Sequence, residues 1–330
     1  MRRFVIKKTI YLAITLFAIL LTNFVLFRIM PGDPIRAWIP KGISPEVAEI
    51  IRENLHLNDP MYEQFYYYLV NVFQLDFGVT SSYQMGTEVT EILIPRIFNT
   101  LVLVGIGTAI AVFAGVALGR YVAWRRGQAA DTVGMAFTLT FYTMPTFLLA
   151  LGLLILFAGT LDWFPLRGAY GEIPFMDNPP PYSQMSLLEK VVSRGYHIVL
   201  PVLAFSIQIM ADFVLIMRNS LTDVLTEDYI VTARAKGLSD EAVLKDHAMR
   251  NALLPVVTVM AIAFGWVVGG EIMVELIFSY EGIGQLTWDA VNKRDFPLLQ
   301  ALFLIMAVGV LFANLIADIV YTYLDPRVKI

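Results

Sequence analysis

Long apolar runs alternate with polar stretches along the 330-residue chain: Thr9–Phe27, then residues 98–119, 133–159, 198–217, 255–278 and 298–323. A helix rises 1.5 Å per residue, so roughly 20 apolar residues cross a hydrocarbon core of about 30 Å. The pattern predicts an all-α polytopic membrane protein with six transmembrane helices. It divides the chain into residues 1–29 (tail and first span), 30–97 (a segment outside the bilayer), 98–323 (a core of five spans) and 324–330 (a tail). No small-residue cleavage site follows the first run, so a retained anchor is expected rather than a removable signal peptide.

Within 30–97, PGDP at Pro31–Pro34 stops a helix, because two prolines and a glycine cannot continue it. A short helix is expected over Pro45–Leu55, an aromatic-rich one over Met61–Phe73 and a turn at Asp76–Gly78, together a small capping layer. Pro145 and Pro201 fall in or beside spans, where neighbouring helices can satisfy the freed carbonyls. GVALG (Gly115–Gly119) and GWVVG (Gly265–Gly269) have the small-xxx-small spacing of close helix packing.

The stretch Ser220–Pro255 departs from this pattern, being highly charged between two apolar runs. Asp223 near its start and Arg234 and Lys236 before Gly237 follow the charge order of a helix dipole, with glycine just past the end. Ser239 caps an expected second helix with Asp240 and Glu241 in its first turn and Arg250 in its last, and Pro255 closes the unit. Two short helices around a glycine predict a docking element.

Composition agrees with a bilayer protein: 57% of residues are hydrophobic and 16% charged, against about 25% charged in soluble domains. Net charge is −4. Fourteen of the 24 Lys and Arg lie in the amino terminus, the Arg120–Asp131 turn, the Arg218–Leu253 segment and the tail. By the positive-inside rule both termini and the 220–255 loop are expected in the cytoplasm, with Arg28–Ile97 and Thr160–Tyr196 outside.

The chemistry is sparse. There is no cysteine, and His56, His197 and His247 have no ligand-like spacing, so neither a disulfide nor a metal site is expected. No G-x-x-x-x-G-K-[ST], H-E-x-x-H or G-x-S-x-G occurs. His197 and Ser206, nine apart, are in poor register for a catalytic pair. No catalytic residue, no cofactor of the chain's own and no nucleic-acid partner are expected. Ionisable residues in spans are few: Asp212, Glu271, Glu275 and Asp318. Glu271 and Glu275, one turn apart, read either as solvated groups near the outer interface or as a polar patch at the mouth of a pore. A six-span chain with a structured loop and no energy source implies a membrane subunit driven by a separate motor. An ion-coupled secondary transporter is the distant alternative, and it lacks the expected paired half-helices.

Asp228–Thr258, DYIVTARAKGLSDEAVLKDHAMRNALLPVVT, closely resembles the cytoplasmic loop of permease subunits of dipeptide/oligopeptide ABC transporters, a family that also handles nickel and oligosaccharides. Val231-Thr232-Ala233 stands where the generic importer form has Glu-Ala-Ala, and the Gly237 to Leu254-Pro255 spacing is the longer one of the peptide branch. PGDP, Asn99-Thr100, Met144–Phe147, Leu200-Pro201, Val274-Glu275, Gly282, Gly284, Arg294–Pro297 and Leu324–Arg327 extend the resemblance over essentially the whole chain. Glu281 stands where the family usually has proline, and Glu271 where a small apolar residue is common.

The resemblance implies a plasma-membrane importer permease working with a second permease, two ATP-binding subunits that hold the ATP, and an extracytoplasmic solute-binding protein. It implies that Tyr229, Thr232, Ala233, Ala235, Lys236, Gly237, Leu238, His247 and Asn251 form the coupling helix that meets the ATPase. Glu271, Glu275, Gly282 and Gly284 are expected at the outer mouth.

Overall fold

A computed structural model describes residues 2–29, 44–54, 56–174, 176 and 178–324. PGDP and the 325–330 tail lie outside the described residues, as does the side chain of Asp318. The described residues form helices and connecting turns, with one isolated β-bridge between Val79 and Glu88. Five helices are long and apolar enough to cross a membrane, or six if a sharply bent pair is one span.

In chain order, α1 (Arg2–Ile29) is followed by α2 (Pro45–Asn54) and α3 (Met61–Phe73). Then come α4 (Val89–Trp124), α5 (Ala129–Thr143) and α6 (Thr146–Leu153), which passes into a π-helical turn Leu154–Thr160. The long α7 (Leu187–Val224) leads to α8 (Asp228–Ala235) and α9 (Asp240–Phe264). The short α10 (Ile272–Ile277) and α11 (Ile283–Lys293) precede α12 (Phe296–Leu324).

Four expectations are corrected. The helix expected from residue 98 begins at Val89, nine residues earlier, with Pro95 tolerated near its start. The run 133–159 is not straight: α5 and α6 meet at 101°. Met144 is extended there (ψ 125°) because Pro145 disfavours helical backbone in the residue before it. Asp223 belongs to the end of α7, so the first loop helix starts at Asp228. Pro255 closes nothing. It sits inside the helix that runs on to Gly265, and the run 255–278 breaks into that helix, a 3-10 turn Trp266–Gly269 and α10.

The backbone of the fold is α4 packed against α7. Gly115 and Gly119 permit the approach: a Cβ at Gly115 would lie 2.8 Å from the Met210 carbonyl oxygen, and one at Gly119 2.7 Å from that of Val214. GWVVG makes no such face, since the helix ends within it. At one end of this pair, Ala111, Val112, Phe213, Met217 and Leu221 share a core with Ile230 and Ala233 of α8 and Val243, Ala248 and Ala252 of α9. At the other end, Val89, Ile92 and Leu93 pack with α11, α12 and Phe27 of α1.

Of the expected capping layer, α3 packs onto α1 and α12. Phe65 of α3 meets Phe24 edge-on, with centroids 5.2 Å apart, while Arg28 Nε donates to Gln64 Oε1 at 2.8 Å. Asn23 Nδ2 donates to Tyr68 Oη (3.1 Å) and to the Gln300 carbonyl (3.0 Å), joining α1, α3 and α12.

Candidate functional site

Two constructions lie along α4, one beside its C-terminal end at Trp124 and one at Thr100, about 35 Å apart at 1.5 Å per residue.

The first is the α8–Gly237–α9 segment. α8 is held by two buried residues, Ile230 and Ala233, whereas Tyr229, Val231, Lys236, Gly237 and Leu238 are exposed. Thr232 Oγ1 donates back to the Asp228 carbonyl at 2.9 Å, so this hydroxyl serves its own helix. Ala235 ends α8 and Lys236 caps it, and Gly237 turns the chain with φ +80°, a left-handed conformation that costs an L-residue roughly 1–2 kcal/mol. A Cβ at Gly237 would meet nothing within 4 Å, so the requirement for glycine is conformational. Ser239 Oγ then accepts from Ala242 N (3.3 Å), the expected N-cap. α9 starts with one α turn and widens into a π-helical stretch, Val243–Ala248, that carries the half-buried His247.

The structure brings Tyr229 and Asn251 together: Asn251 Nδ2 donates to Tyr229 Oη at 2.8 Å, clamping α8 onto α9. The segment is braced further by Ser220 Oγ donating to the Ala252 carbonyl (2.9 Å). Sequence reasoning missed a second brace. Arg218 Nε and Nη2 donate to the two carboxylate oxygens of Asp131 at 2.9 and 3.2 Å, while Gly127 N donates to Asp131 Oδ2 (3.0 Å). This fork ties the turn between α4 and α5 to the end of α7. Its partners are 87 residues apart, with no local spacing to mark them.

The second construction is a buried polar knot around Glu275. Its side chain is completely buried, which removes the solvated reading for this residue; Glu271 is half-buried at the position preceding α10. Thr100 Oγ1 donates to Glu275 Oε1 (2.8 Å) and accepts from Ile283 N (2.8 Å). Gln285 N donates to Glu275 Oε2 (2.9 Å). The carboxylate therefore sits at the N-terminus of α11, where free N–H groups and the helix dipole favour negative charge. Gly282 and Gly284 are present because the space is taken. A Cβ on Gly282 would fall on the Glu275 carboxylate and the Thr100 hydroxyl, and one on Gly284 would lie 2.9 Å from the Ile272 backbone.

Beside the knot, Asn99 Nδ2 donates to the Glu281 carbonyl and its Oδ1 accepts from Arg194 Nη1, both at 2.7 Å. The Arg194 guanidinium lies over the rings of Tyr170, Tyr182 and Phe98, 5.1–5.4 Å from their centroids. Nearby, the buried Asp295 accepts from Ser82 N and Tyr83 N (2.7 and 2.8 Å) and caps α12 through Leu298 N (3.2 Å).

Neither construction resembles a hydrolytic or metal site. Among the described residues no group of three or more His, Asp or Glu is placed to hold a metal. His197 Nδ1 pairs with the Ser193 carbonyl (2.8 Å), and the Ser206 hydroxyl with that of Val202, each in its own helix.

The whole chain is 34% identical over 330 residues to the oligopeptide transport system permease protein AppB of Bacillus subtilis, covering all of both chains. It is 33% identical to the glutathione transport system permease protein GsiC of Escherichia coli K12, covering 100% of this chain and 99% of that one. Among solved structures, an inward-facing MetNI methionine ABC transporter chain superposes with a TM-score of 0.55 at 14% identity, covering 71% of this chain and 96% of the other. Residues 1–104 match the N-terminal family of binding-protein-dependent transport system membrane components, and residues 115–330 match the family described as binding-protein-dependent transport system inner membrane component. A bundle of apolar helices with an exposed, glycine-hinged pair at one end is what that match covers, and the chain belongs to the binding-protein-dependent transport system inner membrane component family.

Proposed function

We propose that the chain is one half of the translocation path of a peptide importer. It pairs with a second, homologous permease and is driven by two separate ATP-binding subunits, which hold the ATP, while a solute-binding protein delivers substrate from outside. The peptide class rests on whole-length similarity to oligopeptide and glutathione permeases. Both termini and the 220–255 segment are assigned to the cytoplasm, because most Lys and Arg cluster there.

The observation that carries the reading is the α8–Gly237–α9 unit. Its inner face is fused to the α4/α7 core through Ile230, Ala233, Val243 and Ala248, so a push on the unit moves the long helices. Its outer face offers Tyr229, Val231, Lys236 and Leu238 to a partner, with no ATP-binding motif in the chain to drive it from within. The buried Glu275 knot and Gly282–Gly284, further along α4, brace the outer mouth that receives substrate.

The test is Gly237→Val in the complete four-subunit complex. The variant inserts and folds, since its cost is confined to an exposed turn, but loses association with the ATPase or peptide-stimulated ATP hydrolysis. Wild-type uptake and ATPase coupling in this variant refute the assignment.

A further inference from the structure

The long helix α7 has one face that the other described residues leave partly uncovered although the helix is long and apolar enough to span a membrane. Gln208, Asp212 and Asn219 recur on it at spacings of four and seven, so they form one stripe; Asp212 and Asn219 are exposed and Gln208 is half-covered. On the opposite side Phe205, Phe213, Val214, Met217 and Leu221 are buried against neighbours. Asp212 has no hydrogen-bond or ion-pair partner among the described residues. A bare carboxylate does not face hydrocarbon, and such groups within spans turn to aqueous cavities or to a charged or polar partner.

A second, independent feature lies beside the stripe. The Thr146 hydroxyl donates to Gln208 Oε1, which brings the first residue of α6 against α7 one turn from Asp212. This is where the α5–α6 pair breaks by 101°. At the break α5 ends in Thr143 and α6 begins at Thr146, so helix-end backbone groups without intrahelical partners gather at the corner, and the end held at Gln208 is the start of α6. Broken helices at mid-membrane, with their termini beside an ionisable group, are how polar substrates are met inside a bilayer.

We infer that the Gln208–Asp212–Asn219 face and the α5–α6 break line the translocation path, and that Asp212 holds the cationic group, the α-ammonium, of a peptide in transit. This rests on the permease reading above. The chemistry fits one cation: Asp212 is the ionisable group of this stripe and its carboxylate is negative, and the neighbouring Gln208 and Asn219 can hydrogen-bond peptide amides.

The experiment uses the complete complex in proteoliposomes, with the same solute-binding protein throughout. Uptake of a peptide with a free amino terminus is compared with its N-acetylated form for wild type, Asp212→Asn and Asp212→Glu. Asp212→Asn is expected to lower transport of the free-amine peptide about tenfold relative to the acetylated one, the loss of one charge-assisted contact. Asp212→Glu retains most of the preference. Asp212→Cys in the assembled complex is expected to react with a membrane-impermeant thiol reagent, and free-amine peptide protects it.

An unreactive cysteine in every nucleotide state means that Asp212 is packed against the second permease, and overturns the inference. So does an equal loss for both peptides. If the wild-type complex moves no peptide of either kind, the peptide reading itself fails. If wild type transports and Asp212→Asn changes nothing, only the role of Asp212 fails.

Discussion

Replacing Glu275 with alanine is the sharpest single test of the Glu275 knot. The carboxylate is fully buried and accepts from the Thr100 hydroxyl at 2.8 Å and the Gln285 amide at 2.9 Å. A net hydrogen bond contributes about 0.5–1.5 kcal/mol and each donor left stranded in the interior costs about 1–3 kcal/mol, so Glu275→Ala is expected to cost about 3–5 kcal/mol. At about 2.1 cal/mol/K per residue, a 330-residue chain would lose roughly 4–7 °C of Tm. Glu275→Gln is milder, about 1–2 kcal/mol, because its amide oxygen still accepts from Gln285 and its NH₂ can donate to Thr100.

Thermal unfolding of the purified complex in one detergent reads both variants. Thr100→Val combined with Glu275→Gln should cost less than the two changes separately, since the residues share one hydrogen bond. The knot is refuted as a structural element if Glu275→Ala melts within a degree of wild type, or if the alanine and glutamine variants are equally damaged. A melting curve that is lowered while residual uptake per folded complex is unchanged assigns Glu275 to positioning α11 rather than to contact with substrate.

Two further outcomes follow from the α8–α9 end of the bundle. Asp131→Asn weakens the fork to Arg218 and should lower the melting temperature and the ATPase coupling together, while the charge-swapped pair Asp131→Arg with Arg218→Asp recovers part of both; no recovery in the swap removes the ion pair as the cause. Tyr229→Phe removes the partner of Asn251 Nδ2 and should loosen α8 from α9, read as faster amide hydrogen exchange over α8 with α9 beyond Ala252 unchanged; identical exchange in both proteins would show that the clamp is dispensable.

The extent of each helix and the bends within them show where local pattern stops being informative. Apolar run length located the five helices long enough to span and the bent α5–α6 pair, but not their ends. α4 and α7 reach 36 and 38 residues because their first turns find partners before the apolar runs begin: Val89 N donates to the Gly78 carbonyl at 2.9 Å, and a Ser186–Glu189 capping box closes the start of α7. Pro145 and Pro255 are chemically the same breaker, yet one marks a 101° corner and the other lies inside a continuous helix. Neighbouring packing decides between these outcomes, and it is absent from a linear pattern. Gly237 was legible because a left-handed turn is a local requirement, and the structure gives it φ +80°.

By itself the sequence determined what depends on neighbours in the chain. This includes the membrane class from apolar run length, the helix–glycine–helix unit from capping and charge order, and the importer family from ordered motifs along the whole length. Tertiary structure decided what depends on distance. Glu275 meets Thr100 across 175 residues, Asp131 meets Arg218 across 87, and Asp212 is left on an open face while its helical neighbours are buried. A carboxylate's role is set by the donors and solvent that surround it, and those are assembled only when distant helices pack.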